Sequence, residues 1–82
     1  FANESSTEEN YFKYCSGCHG EDGEPVKNGV TDLRDPSHKK RAGRAGFIRV
    51  ISEGRGRMPA FEERLSRSEI EALADYAMRM SK

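Results

Sequence analysis

The chain has 82 residues, enough for one domain and close to the lower limit at which an apolar core holds a fold together unaided. Only 34% of the residues are hydrophobic, 34% are charged and none is Trp, a composition that calls for a staple such as a disulfide, a metal or a large cofactor. The formal net charge is zero, which argues against a general nucleic-acid or membrane-surface binder, and no stretch is apolar and long enough to span a bilayer. The zero hides an asymmetry. Residues 1–33 carry two bases against seven acids, whereas residues 34–67 carry ten bases against four acids.

Taken in order, the chain opens with two overlapping capping boxes, Ser5-x-x-Glu8 and Ser6-x-x-Glu9. Tyr11, Tyr14, Cys15 and Cys18 then recur at steps of three and four, which predicts an amphipathic helix from about Ser6 to Gly17 with both phenols in core packing. Within and beyond its end lies Cys15-Ser16-Gly17-Cys18-His19, the spacing of covalent c-type haem attachment. Residues at i and i+3 share one face of a helical turn, so two sulfurs can bond one side of a flat macrocycle. The imidazole that follows points inward, where it can reach the iron. Rival readings of the two cysteines are a redox dithiol, half a zinc site or a disulfide. Zinc needs two further ligands and there is no second CxxC; a thioredoxin-like motif needs a βαβ context, and no strand pattern is visible.

Residues 20–43 hold four glycines and two prolines among Asn and Asp, and read as a loop with Leu33 as its apolar anchor. A loop of that length in a compact domain is expected to wrap something. Phe47, Val50 and Ile51 predict a short helix from about Ala45 to Glu53, with Gly54 at C′. Residues 55–61 are irregular, since Pro59 denies its predecessor helical geometry. Ser66-x-x-Glu69 is a third capping box, and Ile70, Leu73, Ala74, Ala77 and Met78 mark one face of a closing helix that runs to about Met80.

With these pieces in place, the chain resembles a small class I (His/Met-ligated) monohaem cytochrome c of the bacterial type over nearly its whole length. The resemblance rests on Tyr11-x-x-x-Cys15-x-x-Cys18-His19-Gly20, Asp32-Leu33-x-Asp35-Pro36, Gly54-x-x-x-Met58-Pro59-x-Phe61 and the last helix with Leu73-x-x-Tyr76. It implies an all-α cytochrome c fold, residues 1–82 as a single domain, in which three to four short helices and loops wrap one covalently bound haem c. The first and last helices are expected to cross at close contact. Thioether bonds from Cys15 and Cys18, His19 as proximal ligand and Met58 on the opposite face follow from the same likeness. Two positions depart from the family pattern. Thr31 stands about where members often have a proline whose carbonyl fixes the proximal histidine, and Thr7 stands where many carry Gly or Ala.

Met58 has competitors. Met78 and Met80 end the last helix, where packing or fraying is the default, whereas Met58 lies in a proline-held loop from which a soft thioether can be aimed at iron. His38, among Lys39, Lys40 and Arg41, is the runner-up axial ligand and reads more simply as a solvated surface histidine. The basic run reads as a solvated face, with Arg34, Arg41, Arg44, Arg55 and Arg57 as candidates for pairing haem propionates or guiding an acidic partner. The function implied is a soluble one-electron carrier between redox partner proteins, a monomer and not an enzyme. Alternatives are the haem domain of a larger oxidoreductase, or a peroxidase-like or ligand-binding haem protein with a labile sixth site. Family chemistry places such a protein in the bacterial periplasm, with its signal peptide removed, without nucleic acid and without membrane insertion.

Overall fold

The computed structural model describes residues 4–20, 22–26, 32–56 and 58–80. It contains four helices: α1 (Glu4–Tyr14), α2 (Ser16–His19), α3 (Pro36–Glu53) and α4 (Arg67–Met78). Among the described residues the sole β pairing is an isolated bridge between Arg55 and Met58, so the expected all-α class holds. No helix among them is long and apolar enough to cross a membrane.

Helix α1 includes Ser5 and Ser6, which therefore lie within it and not at the expected N-cap. Its inward face carries Thr7 and Tyr11, four residues apart and both buried. That face meets α4, with the Tyr11 and Tyr76 rings 5.2 Å apart and Asn10 Nδ2 donating to Glu69 Oε2 at 3.4 Å. The crossing of first and last helices expected from the resemblance is thus present, and it accommodates a threonine at position 7. On the α4 side the small Ala74 and Ala77 are both buried.

The predicted loop over residues 20–43 is corrected in its second half, because α3 starts at Pro36. Asp35 is its N-cap and accepts from the Ser37 amide at 3.0 Å, and Pro36 fills the first helical position, where a missing N–H costs nothing. Gly43, at φ 67° and ψ 176°, then breaks the helical geometry, so α3 is two helical segments joined at a kink. The second segment buries Phe47 and Ile51 as expected, with Ile48 buried in place of the expected Val50, which is half-buried, and it ends where Gly54 at φ 80° donates its amide to the Val50 carbonyl. Leu33 is buried as its anchor role requires, and its amide donates to the Gly23 carbonyl at 3.1 Å.

Helix α4 shows the complete capping box. The Glu69 amide donates to Ser66 Oγ at 3.1 Å and the Ser66 amide donates to Glu69 Oε1 at 2.8 Å. Ile70, Leu73, Ala74 and Ala77 point inward, and the helix stops at Met78, two residues short of expectation. Met80 lies beyond it in the core, its carbonyl accepting from the Lys39 ammonium. One cluster of buried side chains, from Tyr11, Leu33, α3, Phe61, Leu65, α4 and Met80, forms the centre of the molecule.

Candidate cofactor site

Cys15 joins α1 to α2, and Cys18 and His19 lie on the single turn of α2. The amides of Cys18 and His19 donate to the Cys15 carbonyl at 3.2 and 3.0 Å, so the motif is helical and both cysteines lie on one side of it. Both are half-buried and neither is in a disulfide. Burial, and then the neighbouring Cys18, push the Cys15 thiol up to about 11. A redox-active or metal-binding cysteine needs a thiolate, and this surrounding disfavours one. Among the described residues no group of three or more His, Cys, Asp and Glu side chains could hold a bare metal ion. Dithiol and zinc readings lose ground on both counts.

The turn is held from three directions. Gly20 adopts φ 75°, and a Cβ there would lie 2.1 Å from the Glu24 carbonyl oxygen, so only glycine fits. The Val26 amide donates to the Cys18 carbonyl at 2.9 Å, folding the following loop back onto the motif. The Tyr11 hydroxyl, on a side chain only 1% exposed, donates to the Gly20 carbonyl at 2.6 Å. Burial raises the Tyr11 pKa above its ordinary range, which keeps the phenol a neutral donor. Sequence reasoning assigned Tyr11 to packing and missed this hook. The signal was its spacing, one helical turn before Cys15.

Met58 is positioned by the end of α3. A Cβ on Gly54 would meet the Met58 carbonyl at 2.6 Å and the Ala60 amide at 2.9 Å, so glycine lets this loop lie directly on the helix terminus. Arg55 and Met58 exchange two backbone hydrogen bonds, at 3.1 and 2.9 Å. Further on, the amides of Phe61 and Glu62 donate to the carbonyls of Ile51 and Ser52, satisfying acceptors that a helix end leaves open. Met58 is half-buried and packs on the central cluster, and so does Cys15. The two loops are tied by aromatic contact: the Tyr14 ring, one residue before Cys15, lies 5.3 Å from that of Phe61, three after Met58. Two thiols on one helical face, an imidazole beside them and a thioether on the same core are a donor set that fits haem.

Other candidates are placed elsewhere. His38 is a half-buried ring 5.5 Å from Phe47, not the solvated histidine expected of its basic surroundings. Met78 is half-buried against the core and Met80 is part of it. Arg34 grips both oxygens of Asp32 at 3.1 Å, and Arg44 pairs with Asp75 at 2.7 Å and Glu71 at 3.6 Å. Both are occupied within the protein, whereas Arg41 and Arg55 are exposed and without an ion pair among the described residues. Thr31 and Arg57 lie outside the described residues.

The architecture is that of a c-type cytochrome. It matches the solved structure of the KustC0563 c-type cytochrome with a TM-score of 0.84 and 27% identity, covering 93% of this chain and 98% of that one. A single-substitution variant of the same cytochrome matches with a TM-score of 0.80 and 26% identity, covering 89% and 95%. Residues 2–76 match the model of cytochrome c oxidase, cbb3-type, subunit III, and the chain belongs to that family. The cbb3-type cytochrome c oxidase subunit FixP of Bradyrhizobium diazoefficiens is 38% identical over 68 residues, 80% of this chain but 23% of that protein. The chain therefore spans about a quarter of this curated relative, and as a c-type cytochrome it is an electron-transfer haem protein.

Proposed function

We propose that this chain is a single-domain carrier of one electron at a time, with haem c bound through thioethers to Cys15 and Cys18. His19 would bind the iron on one face and Met58 on the other. When bound, the group supplies a reversible one-electron couple at iron. The chain's own residues do the rest. Tyr11, Gly20 and the Val26 amide hold the attachment turn in one geometry, and Gly54 seats the Met58 loop on the end of α3. A thioether is a soft donor and raises the reduction potential relative to a second imidazole. With His19 and Met58 both holding the iron, no position would be left open for peroxide or another ligand, which favours carrier over peroxidase-like chemistry.

The observation that carries this reading is that Cys15 and Met58, far apart in sequence, border one core and are joined through the Tyr14–Phe61 contact. The test is Met58→Ala in the haem-loaded protein. Haem should stay attached by mass, the long-wavelength methionine-to-iron absorption should vanish, and the potential should fall. An unchanged spectrum would move the sixth ligand elsewhere, with His38 the first to examine.

A second reading is favoured by one finding. FixP is an oxidase subunit more than four times the length matched here, so the domain would also serve as the electron-relay segment of a larger assembly. Kinship with that subunit supports a periplasm-facing site, and partners would be redox proteins that meet the domain through a small, transient interface. The exposed Lys40 and Arg41 on the first segment of α3 fit an acidic partner.

A further inference from the structure

Among the described residues two large apolar side chains are strongly exposed, Phe12 at 44% and Val26 at 65%. They come from different elements, α1 and the loop after α2, yet they wall the same open groove. Its volume is about 610 Å³ and, among the described residues, Gly20, Pro25, Asp22 and Glu24 also line it. Isolated exposed apolar residues need no explanation, but two that converge on one concavity do. Phe12 follows the buried Tyr11 directly and stays 44% exposed even though its ring meets that of Tyr11 edge-on at 5.9 Å. Val26 is fixed in place because its amide donates to the Cys18 carbonyl. The groove floor is Gly20, the residue after His19. An apolar centre with a polar rim is the anatomy of a protein–protein contact.

The rim decides the partner's sign. Asp22 and Glu24 are both exposed. Arg34, which reaches Glu24 only at 3.8 Å, is committed to Asp32 through two hydrogen bonds. On α1, the Lys13 ammonium lies over the Tyr14 ring, 5.2 Å from its centroid. An acidic rim repels anionic lipid headgroups, so a membrane surface is a poor occupant. We infer that the Phe12–Val26 groove docks a basic redox protein, one that presents an apolar side chain ringed by Lys and Arg. The inference rests on residues 15–19 being the haem-attachment turn, since that is what makes this face useful. It also gives the domain a second face, opposite in sign to the Lys40–Arg41 surface and on different elements.

The test is an amide chemical-shift titration of the full chain with a cytochrome whose haem edge is ringed by lysines. Shifts centred on Phe12, Asp22, Glu24 and Val26 are expected, and this readout stands whether or not covalent haem is found by intact mass. Shifts centred on Lys40 and Arg41, or the same groove shifts produced by raising the protein's own concentration without the probe, overturn the proposal. In the second case the occupant is another copy of the chain. Stopped-flow reduction of the haem-loaded protein gives the functional arm. Asp22→Lys with Glu24→Lys should slow electron transfer from the lysine-ringed cytochrome by about tenfold or more at low ionic strength, and much less at high salt. Phe12→Ser with Val26→Ser should slow it at both. Reduction by ascorbate should be unchanged in either variant, and an equal loss with ascorbate, or no loss with the cytochrome, refutes the assignment.

Discussion

At the scale of single residues, the chemistry-bearing members of the proposed site stand out in the sequence and the residues that hold them do not. Cys15, Cys18 and His19 are local in sequence, and thiol and imidazole chemistry leaves few readings at that spacing. The Tyr11 hydroxyl acts across nine residues on a backbone carbonyl, and nothing in a phenol's residue type distinguishes a hydrogen-bonded tyrosine from a packed one. Gly20 and Gly54 are similar cases: each looks like ordinary punctuation until the close approach of Glu24 or Met58 is seen. The Tyr11 bond can be measured. Tyr11→Phe keeps the ring against Tyr76 but leaves the buried Gly20 carbonyl without its donor, which should cost about 1–3 kcal/mol. Denaturant unfolding of the haem-loaded protein would show it as a lower midpoint at constant slope. A loss under about 0.5 kcal/mol would mean that the hook is dispensable.

At the scale of elements, legibility followed apolar burial. Helix α4 combines a capping box with four buried residues at helical spacing and was read almost to its ends. The first segment of α3, residues 36–42, buries nothing fully, so it has no hydrophobic period to detect. Asp35-Pro36 was a helix-start signal in a stretch that glycines and prolines made look like continuous loop. The N-terminus of α4 also yields a pH prediction. The Ser66 backbone amide, and then its hydroxyl, hold the Glu69 carboxyl below its usual 4.5, and the Arg44 guanidinium holds Asp75 below its usual 3.8. Because the folded values are depressed, the stability they contribute is complete above the unfolded values and is lost as pH falls through the folded ones. Glu69→Gln should therefore lower the urea midpoint at pH 7 and converge on the parent as pH falls through the depressed Glu69 value. A deficit that persists undiminished at acid pH would assign the effect to lost packing and not to the carboxylate.

At the scale of the whole molecule, the question is what a core of this size can hold. A chain this short buries only about 60–65% of the surface its unfolded form exposes. Its buried cluster joins α1, α3 and α4, while Tyr14, Cys15 and Met58 border that cluster half-covered. Those three are the residues that a flat apolar macrocycle would cover from the attachment side and the loop side together. On this view the cofactor completes the core as well as carrying the electron, and the staple that the composition calls for is the haem. Cys15→Ala with Cys18→Ala separates the two roles, because it would remove the proposed covalent bonds and leaves every buried cluster residue in place. The double variant should show no added haem mass, a near-UV circular dichroism signal largely lost, and a broad thermal transition in place of a cooperative one. A variant that stays cooperative without cofactor would show that α1, α3 and α4 suffice by themselves, and the haem would then be a passenger on the fold. If haem were retained non-covalently and cooperativity with it, His19 and Met58 would be holding the plate without the thioethers. The thioethers would then serve to prevent its loss and would not be needed to shape the protein.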